Sequence, residues 1–539
     1  MDTIIFGGKV LTMEPGEVRA EAVGIKDGMV AVVGSDKEVL ALQRKHTQLI
    51  NAAGKSVLPG FHDSHLHLYG YALNKGRMVL EGLTGIDALQ DRLIKHIKRI
   101  SPPVGAWITG RGWDQTGYLE GRMPNRHDLD RVTTDFPILL LRKCGHVSVL
   151  NTRALQQAGI FDNPPEVLGG MIEMGEDGKP TGILKESAMD LARPPAGDLS
   201  AAGAKRLIAI AANDFVQAGL TSVQTDDLGA FSGEPQELFR AYREMAAEGQ
   251  LPLRVNEQIL ITSPDKLKTL IAMGYTSGFG DDRFRIGSLK ILADGSFGGR
   301  SAWLRAPYTD DPDNLGIALH TRELLNELVC IAHQAGMQVA AHAIGDGAID
   351  AMLEVFREAQ AKCPAAAPRF RIIHASLSAP DLLDRMQAQG VAADIQPGFV
   401  SSDLPFIQNR LGKQRAKLAY CFRDFLIRQI PLAGSSDCPV EDYRPLMGVY
   451  HAVTRCGHDG QPQEGWLSDQ KLSLNEAIHL YTMGSAYNAF EEDIKGSIRP
   501  GKLADLVILS DDIEIIHSDG IKEMTVERTI VGGKTIYTS

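Results

Sequence analysis

Between residues 57 and 439 one pattern returns eight times: a short apolar run of strand length, then a longer connection in which, in places, apolar residues recur at helical spacing. The runs are VLPGFHDSHLHL (57–68), GLTSVQTD (219–226), LPLRVNEQIL (251–260), FRIGSLKILADG (284–295), MQVAAHAIG (337–345), RFRIIHAS (369–376), GVAADIQP (390–397) and IPLAGSSDCP (430–439). Strands alternating with helices build βαβ units and a parallel sheet, and eight is the count that closes a (β/α)8 barrel of the TIM type. Two connections carry legible helix signals. Thr321 can cap LLNELVCIAHQA, which stops at Gly336, and Thr84 can cap a helix with Ile86, Leu89, Leu93 and Ile97 on one face.

A chain of 539 residues exceeds one simple core, so further units are expected around the barrel. The first fifty residues alternate in short β-like runs with Asp-Gly and Gly-Gly turns, and LADLVILSDD and VERTIVGGKTIYTS near the end do the same. Neither end has enough strands to stand alone, which predicts one composite β-sandwich from residues 1–58 and 485–539 around a barrel over 59–484. About 150 residues separate the first two barrel strands. The segment at about 101–200 is therefore read as an insertion, a lid or cap candidate that includes WITGRGWDQTGY and RKCGHVSVLN.

The net charge of -11 comes without long runs of like charge, which argues against nucleic acid or an anionic membrane as partner and favours a small-molecule substrate; assembly into a homo-oligomer is left open. No basic leader and no window of roughly 20 apolar residues is present, so a cytoplasmic location is expected. Six cysteines without a Cys-x-x-Cys pair or a compact framework argue against disulfides in a chain of this size; Cys438 stands out because it directly follows Asp437.

His65 and His67 are one residue apart on a strand, and a period of two turns both imidazoles to one face. Alone, a His-x-His pair is as well explained by ordinary strand histidines as by a metal. Its place at the carboxyl end of the first barrel strand, where barrel active sites lie, favours the metal. His342 and His374 occupy equivalent ends of later strands, and four converging imidazoles need a cation or many acceptors. Asp437 follows the eighth strand, where it is either a turn residue before Pro439 or a hard oxygen ligand that also serves as the base for a water nucleophile. Lys290, in GSLKILADG, is a cation on a strand expected to be buried. It must be paired, with Asp294 or another carboxylate, or be modified by carbon dioxide to a carbamate.

The order HDSHLHL, SLKILADGS, AAHAIGDGAID, IIHASL, SSDCPVED resembles the amidohydrolase superfamily, and within it family 3, the branch that contains N-substituted formamide deformylases. The resemblance extends over nearly the whole chain, including GRGWDQTGY, LLLRKCGHVSVLN and GGMIEMGEDGKPTGILKESA. It implies a distorted barrel with a split β-sandwich. It also implies that His65 and His67 bind one metal with Asp437, that His342 and His374 bind a second, and that a carboxylated Lys290 bridges them. Zinc is the usual ion, with iron, manganese or nickel, or a single occupied site, as alternatives. One departure is visible: where the family often reads Gln-Pro-Thr-His after the seventh strand, this chain has Gln396, Pro397, Gly398 and Phe399, so an apolar group replaces a polar one.

The chemistry expected of this set is hydrolysis of an amide-type C–N bond by metal-activated water, with Asp437 moving the proton to the leaving amine. His146 is a candidate donor to the carbonyl oxygen, Trp113 a candidate pocket wall and Arg300 a candidate partner for a substrate carboxylate, although each is equally explained by local packing or surface exposure. The rival readings are hydrolysis of a cyclic amide, carbamate or lactone, a catalytically silent scaffold, and a metal-assisted isomerase or decarboxylase. No Gly-x-Ser-x-Gly elbow or dinucleotide fingerprint stands in a convincing context.

Overall fold

The computed structural model describes residues 1–16, 18–194, 200–230, 235–365 and 367–539. Its centre is an eight-stranded all-parallel sheet of strands β1 (Phe61–Leu66), β2 (Leu220–Thr225), β3 (Arg254–Leu260), β4 (Phe284–Leu292), β5 (Val339–Ala343), β6 (Arg371–His374), β7 (Ala392–Ile395) and β8 (Leu432–Gly434), each hydrogen-bonded to its neighbours in chain order. The barrel is nearly closed. Beyond the end of β8, Asp437 N–H donates to the His65 carbonyl at 2.9 Å, and His67 N–H donates to the Cys438 carbonyl at 2.8 Å. The seam is thus sewn by the peptide groups of three ligand candidates, which fixes those side chains beside one another.

The expected run 57–68 is two strands. Ser56–Pro59 pairs with Lys9–Leu11 and Leu506–Leu509, whereas Phe61–Leu66 joins the barrel. Gly60 is the switch, because its N–H donates to Asp505 O while the next N–H, of Phe61, donates to Gly219 O. A Cβ at Gly60 would lie 2.2 Å from Thr221 Oγ1, so no larger residue allows the backbone so close to β2.

Strands from both ends of the chain meet in one six-stranded sheet, ordered Lys534–Thr538, Val526–Val531, Leu506–Leu509, Ser56–Pro59, Lys9–Leu11, Arg19–Ala20. It shares an apolar core, which includes Ile5, Val23, Val57, Leu506 and Ile530, with a four-stranded sheet of Met29–Gly34, Ala22–Lys26, Thr3–Phe6 and Gln48–Asn51. A third layer interrupts the barrel after β1, with strands ordered Gly170–Met174, Pro180–Glu186, Val147–Leu150, Ile138–Arg142, Ile108–Trp113, Met78–Val79. Helix Ile86–Ile100 buries Ile86, Leu89 and Leu93 in this layer's own core, so the added layer takes in residues ahead of 101. Thr84 does not cap that helix. Gly85 holds the N-cap position, and Glu120 Oε1 accepts from Ile86 N–H instead. Thr321 does cap helix Arg322–Gln334, its hydroxyl accepting from Leu324 N–H at 3.3 Å. Among the described residues, no helix is long and apolar enough to cross a membrane, and all six cysteines are free thiols.

Candidate metal centre

Each histidine at the barrel mouth is aimed by a partner behind it. His65 Nδ1 lies 2.9 Å from Gln258 Oε1, and the orientation of that amide is set by its Nε2, which donates to Ser64 O. The proton therefore sits on Nδ1 and the lone pair of Nε2 faces the cavity. The same device recurs on β6, where His374 Nδ1 faces Gln396 Oε1 at 2.8 Å and Gln396 Nε2 donates to Ser435 Oγ at 2.7 Å. Phe399, the departure seen in the sequence, stacks on the His374 ring with centroids 5.7 Å apart and planes within 8°.

The ligand atoms of His65, His67 and Asp437 lie within 4.8 Å of one another. Asp437 Oδ1 is 3.0 Å from His67 Nε2 and 3.4 Å from His65 Nε2. Three ligands arranged tetrahedrally about an ion at about 2.0–2.1 Å have edges of about 3.3 Å, so the two edges at Asp437 suit a divalent cation of that size. His342 and His374 stand alongside, with ring centroids 4.4 Å apart, and the His374 ring is 5.8 Å from that of His65. Here His342 Nε2 faces Gly295 O at 3.1 Å.

Lys290 Nζ donates to Asp226 Oδ2 at 3.0 Å and to His65 Nε2 at 3.1 Å. Of the partners considered from sequence, Asp294 is not the one chosen. Its carboxylate accepts the N–H groups of Ile344, Gly345 and Trp303, three bonds within one buried pocket. Asp226 is the residue that sequence reasoning passed over. It stands one position beyond β2, ion-pairs with His67 Nδ1 as well as Lys290, and is 1% exposed. Its available signal was an aspartate directly beyond the carboxyl end of a barrel strand.

Burial and the local charges separate these groups into acceptors and cations. Burial first, then neighbouring imidazoles and Lys290, hold His342 well below the usual imidazole range; burial pulls His374 down to about 3, and burial with Lys290 lowers His65. These three are neutral imidazoles at pH 7. For His67 burial works the same way, but Asp226 and Asp437 outweigh it and push the imidazole up to about 10. Burial would raise Asp437, yet its close contacts with the His65 and His67 imidazoles hold its carboxyl well below the usual range, so it is an anion throughout neutral pH.

Above this cluster is a cavity of about 470 Å³ that joins the barrel mouth to one face of the inserted layer. The alternation of the strands decides which residues it meets. Thr109, Arg111, Leu139 and Leu141 line it, while Ile108, Ile138 and Leu140 point the other way into the layer's core. Trp113 has the parity of the cavity face but does not lie on it. The register shifts between Arg111 and Trp113 at Gly112, whose φ is +104°, and this bulge turns the indole into the core, fully buried, with Nε1 donating to Leu140 O at 2.9 Å. Trp113 is therefore a core residue and not a pocket wall. Arg300 is likewise removed from the proposed role, since it pairs with Asp310 at 3.0 Å in the partly exposed loop after β4 and is absent from the cavity lining. His146 does line the cavity, 5.1 Å from the His342 ring centroid to centroid, and its Nδ1 is 2.8 Å from Glu186 Oε2. Burial opposes its charge, but Glu186 prevails and pushes the imidazole up to about 9.

Comparison with known proteins gives a consistent result. The model of the Amidohydrolase family matches residues 48–537. Among curated relatives, YtcJ of Bacillus subtilis (strain 168), which bears an amidohydrolase name, is 34% identical over all of this chain and 99% of its own length. The N-substituted formamide deformylase of Arthrobacter pascens is 27% identical over 99% of this chain and 98% of its own. Among solved structures, an uncharacterized metal-dependent hydrolase from Pyrococcus horikoshii OT3 superposes with a TM-score of 0.75 at 30% identity, covering 96% of this chain and 99% of its own.

Proposed function

Since the chain belongs to the amidohydrolase family, we propose that it is a metal-dependent hydrolase that cleaves the C–N bond of an acyl amide, of formamide type or larger, in a small molecule. The convergence of His65, His67 and Asp437 at the mouth of the barrel carries this reading. Imidazoles completed by a carboxylate are the donor set of zinc, His67 giving up to the entering ion the proton that Asp226 and Asp437 otherwise hold on it, and a divalent ion held there would supply Lewis acidity and make hydroxide available near neutral pH. The likeness to a metal-dependent hydrolase and to a formamide deformylase supports both halves of the proposal.

The residues divide the work. Asp437, an anion in contact with both His65 and His67, accepts the proton of the attacking water and returns it to the leaving nitrogen. Gln258 and Gln396 keep the imidazoles of His65 and His374 in the tautomer that presents Nε2. His146, with Nδ1 engaged by Glu186, has Nε2–H to give to the oxygen on which charge develops. In the two-ion form of the same proposal His342 and His374 would hold a second ion, and Lys290, as its carbamate, would supply a further oxygen ligand. That form requires Lys290 to leave Asp226.

Protein purified without chelator is expected to contain about one metal equivalent for the single-ion form, or about two for the carbamate-bridged form, measured by elemental analysis. It should hydrolyse members of a panel of formamides and N-acyl amines, and stop when the metal is stripped. Full activity in metal-free protein would refute the proposal. The pH profile gives a second check. His146 carries its extra proton below about 9 and loses it above, so kcat/KM should fall as pH rises through about 9, and the fall should be missing in His146→Leu. An unchanged alkaline limb in that variant would remove the residue from the reaction.

A further inference from the structure

Two arginines on the cavity wall have no part in the chemistry above. Arg111 is in strand Ile108–Trp113, and Arg77 directly precedes Met78–Val79, the strand that pairs with it in parallel. In that register Arg111 stands opposite Val79, and the two-residue alternation puts Arg77 on the same face. Both side chains are partly buried and both line the cavity that holds His65, His67 and Asp437. Each guanidinium has five N–H donors, yet among the described residues only one bond is made by each: Arg111 Nη2 to Lys143 O at 3.0 Å, and Arg77 Nη1 to Asn74 Oδ1 at 2.8 Å.

Among the described residues, no carboxylate forms an ion pair with either. Other cations at this cavity do have partners: Lys290 with Asp226, His146 with Glu186, and Arg193 with Asp190. Two like charges on one face of one sheet, drawn partly out of water and in ion-pair contact with no carboxylate of the described residues, are costly unless something else supplies the anion. Burial first, and the Arg77 cation next, press the Arg111 guanidinium below its ordinary pKa, as expected of a charge waiting for a counter-ion.

We propose that Arg77 and Arg111 form an anion subsite that holds a carboxylate on the substrate, making an N-acylated amino acid or a similar acylamino carboxylate the class of molecule this cavity takes. The planar fork of a guanidinium matches a carboxylate in two-point fashion, and Leu139 and Leu141, on the same face of the same sheet, offer apolar contact to a side chain next to it. The identity of the scissile bond rests on the amidohydrolase reading; the preference of the arginine pair for a carboxylate does not.

The test uses a probe that cannot be cleaved. Levulinate is the ketone counterpart of an acylated glycine with its carboxylate, and the corresponding keto alcohol, with CH2OH in place of the carboxylate, is its neutral partner. Calorimetric titration of the full-length, metal-loaded protein at low salt should show levulinate binding at least about tenfold more tightly. Arg77→Ala and Arg111→Ala should each cut that preference severalfold. Arg111 also holds the Lys143 carbonyl, so the Arg77 variant and the wild-type probe pair carry the test if the Arg111 variant does not fold. Equal binding of the two probes, or a preference unchanged in Arg77→Ala, would overturn the assignment, as would inorganic phosphate binding more tightly than levulinate. A clear carboxylate preference in a protein that hydrolyses no amide would leave the subsite standing and sink the hydrolase reading alone; amide hydrolysis with no preference would do the reverse.

Discussion

Replacing Asp437 with asparagine is expected to lower kcat by about a hundredfold to ten-thousandfold, with little change in the denaturation midpoint. The substitution keeps the shape of the side chain and the main-chain bond from Asp437 N–H to His65 O, so the barrel seam is not opened. What it removes is the anion. An amide cannot take a proton from water at neutral pH, and its NH2 group turned toward His67 would present a donor where that ring needs an acceptor or an ion. Elemental analysis of the same variant separates two routes to the loss. Retained metal with lost turnover identifies proton transfer, whereas lost metal identifies ligation. A variant with near-normal kcat would end the assignment of Asp437 as base.

The barrel and its ligand candidates were legible because both depend on local pattern. Apolar runs of strand length, separated by helix-length connections, mark a parallel sheet, and a polar residue placed at the carboxyl end of such a run can only point into the mouth. His65, His374 and Asp437 announce themselves in this way. Asp226 does so just as well in hindsight, yet a lone carboxylate at the end of a strand carries no partner in the sequence; its meaning comes from Lys290 and His67, which reach it only after the sheet closes. The misplaced residues share a different cause. Whether Trp113 faces the cavity or the core is decided by one extra residue at Gly112, and a bulge cannot be counted from alternation alone. The seam at Gly60 is the same kind of event, since the strand pattern runs on while the hydrogen-bonding partner changes from the sandwich to the barrel. Arg77 and Arg111 are thirty-odd positions apart and become neighbours through a two-residue strand, far too short to be read as one in advance.

The interior of the barrel, below the site, leads to the second large effect. Arg371 on β6 and Asp394 on β7 form an ion pair at 2.8 Å with side chains 1% and 0% exposed. The other guanidinium nitrogens donate to Gln224 Oε1 on β2 at 2.6 Å and to Ser64 O on β1 at 3.0 Å, so one side chain spans the barrel between strands that are not neighbours. Asn488 supplies the remaining bond to Asp394, at 2.9 Å. Arg371→Met fills much of the same volume but leaves a buried carboxylate with a single amide donor. Such a break costs about 3–5 kcal/mol, because the desolvation of Asp394 is no longer offset. Denaturant unfolding monitored by tryptophan fluorescence would measure it. Removing the acid as well, in Arg371→Met with Asp394→Leu, should restore a substantial part of the loss, since the penalty belongs to the unpaired charge and not to the missing arginine. If the single variant were within about 0.5 kcal/mol of the parent, or the double variant no better than the single, the pair would not be what ties β1, β2, β6 and β7 together beneath the metal centre.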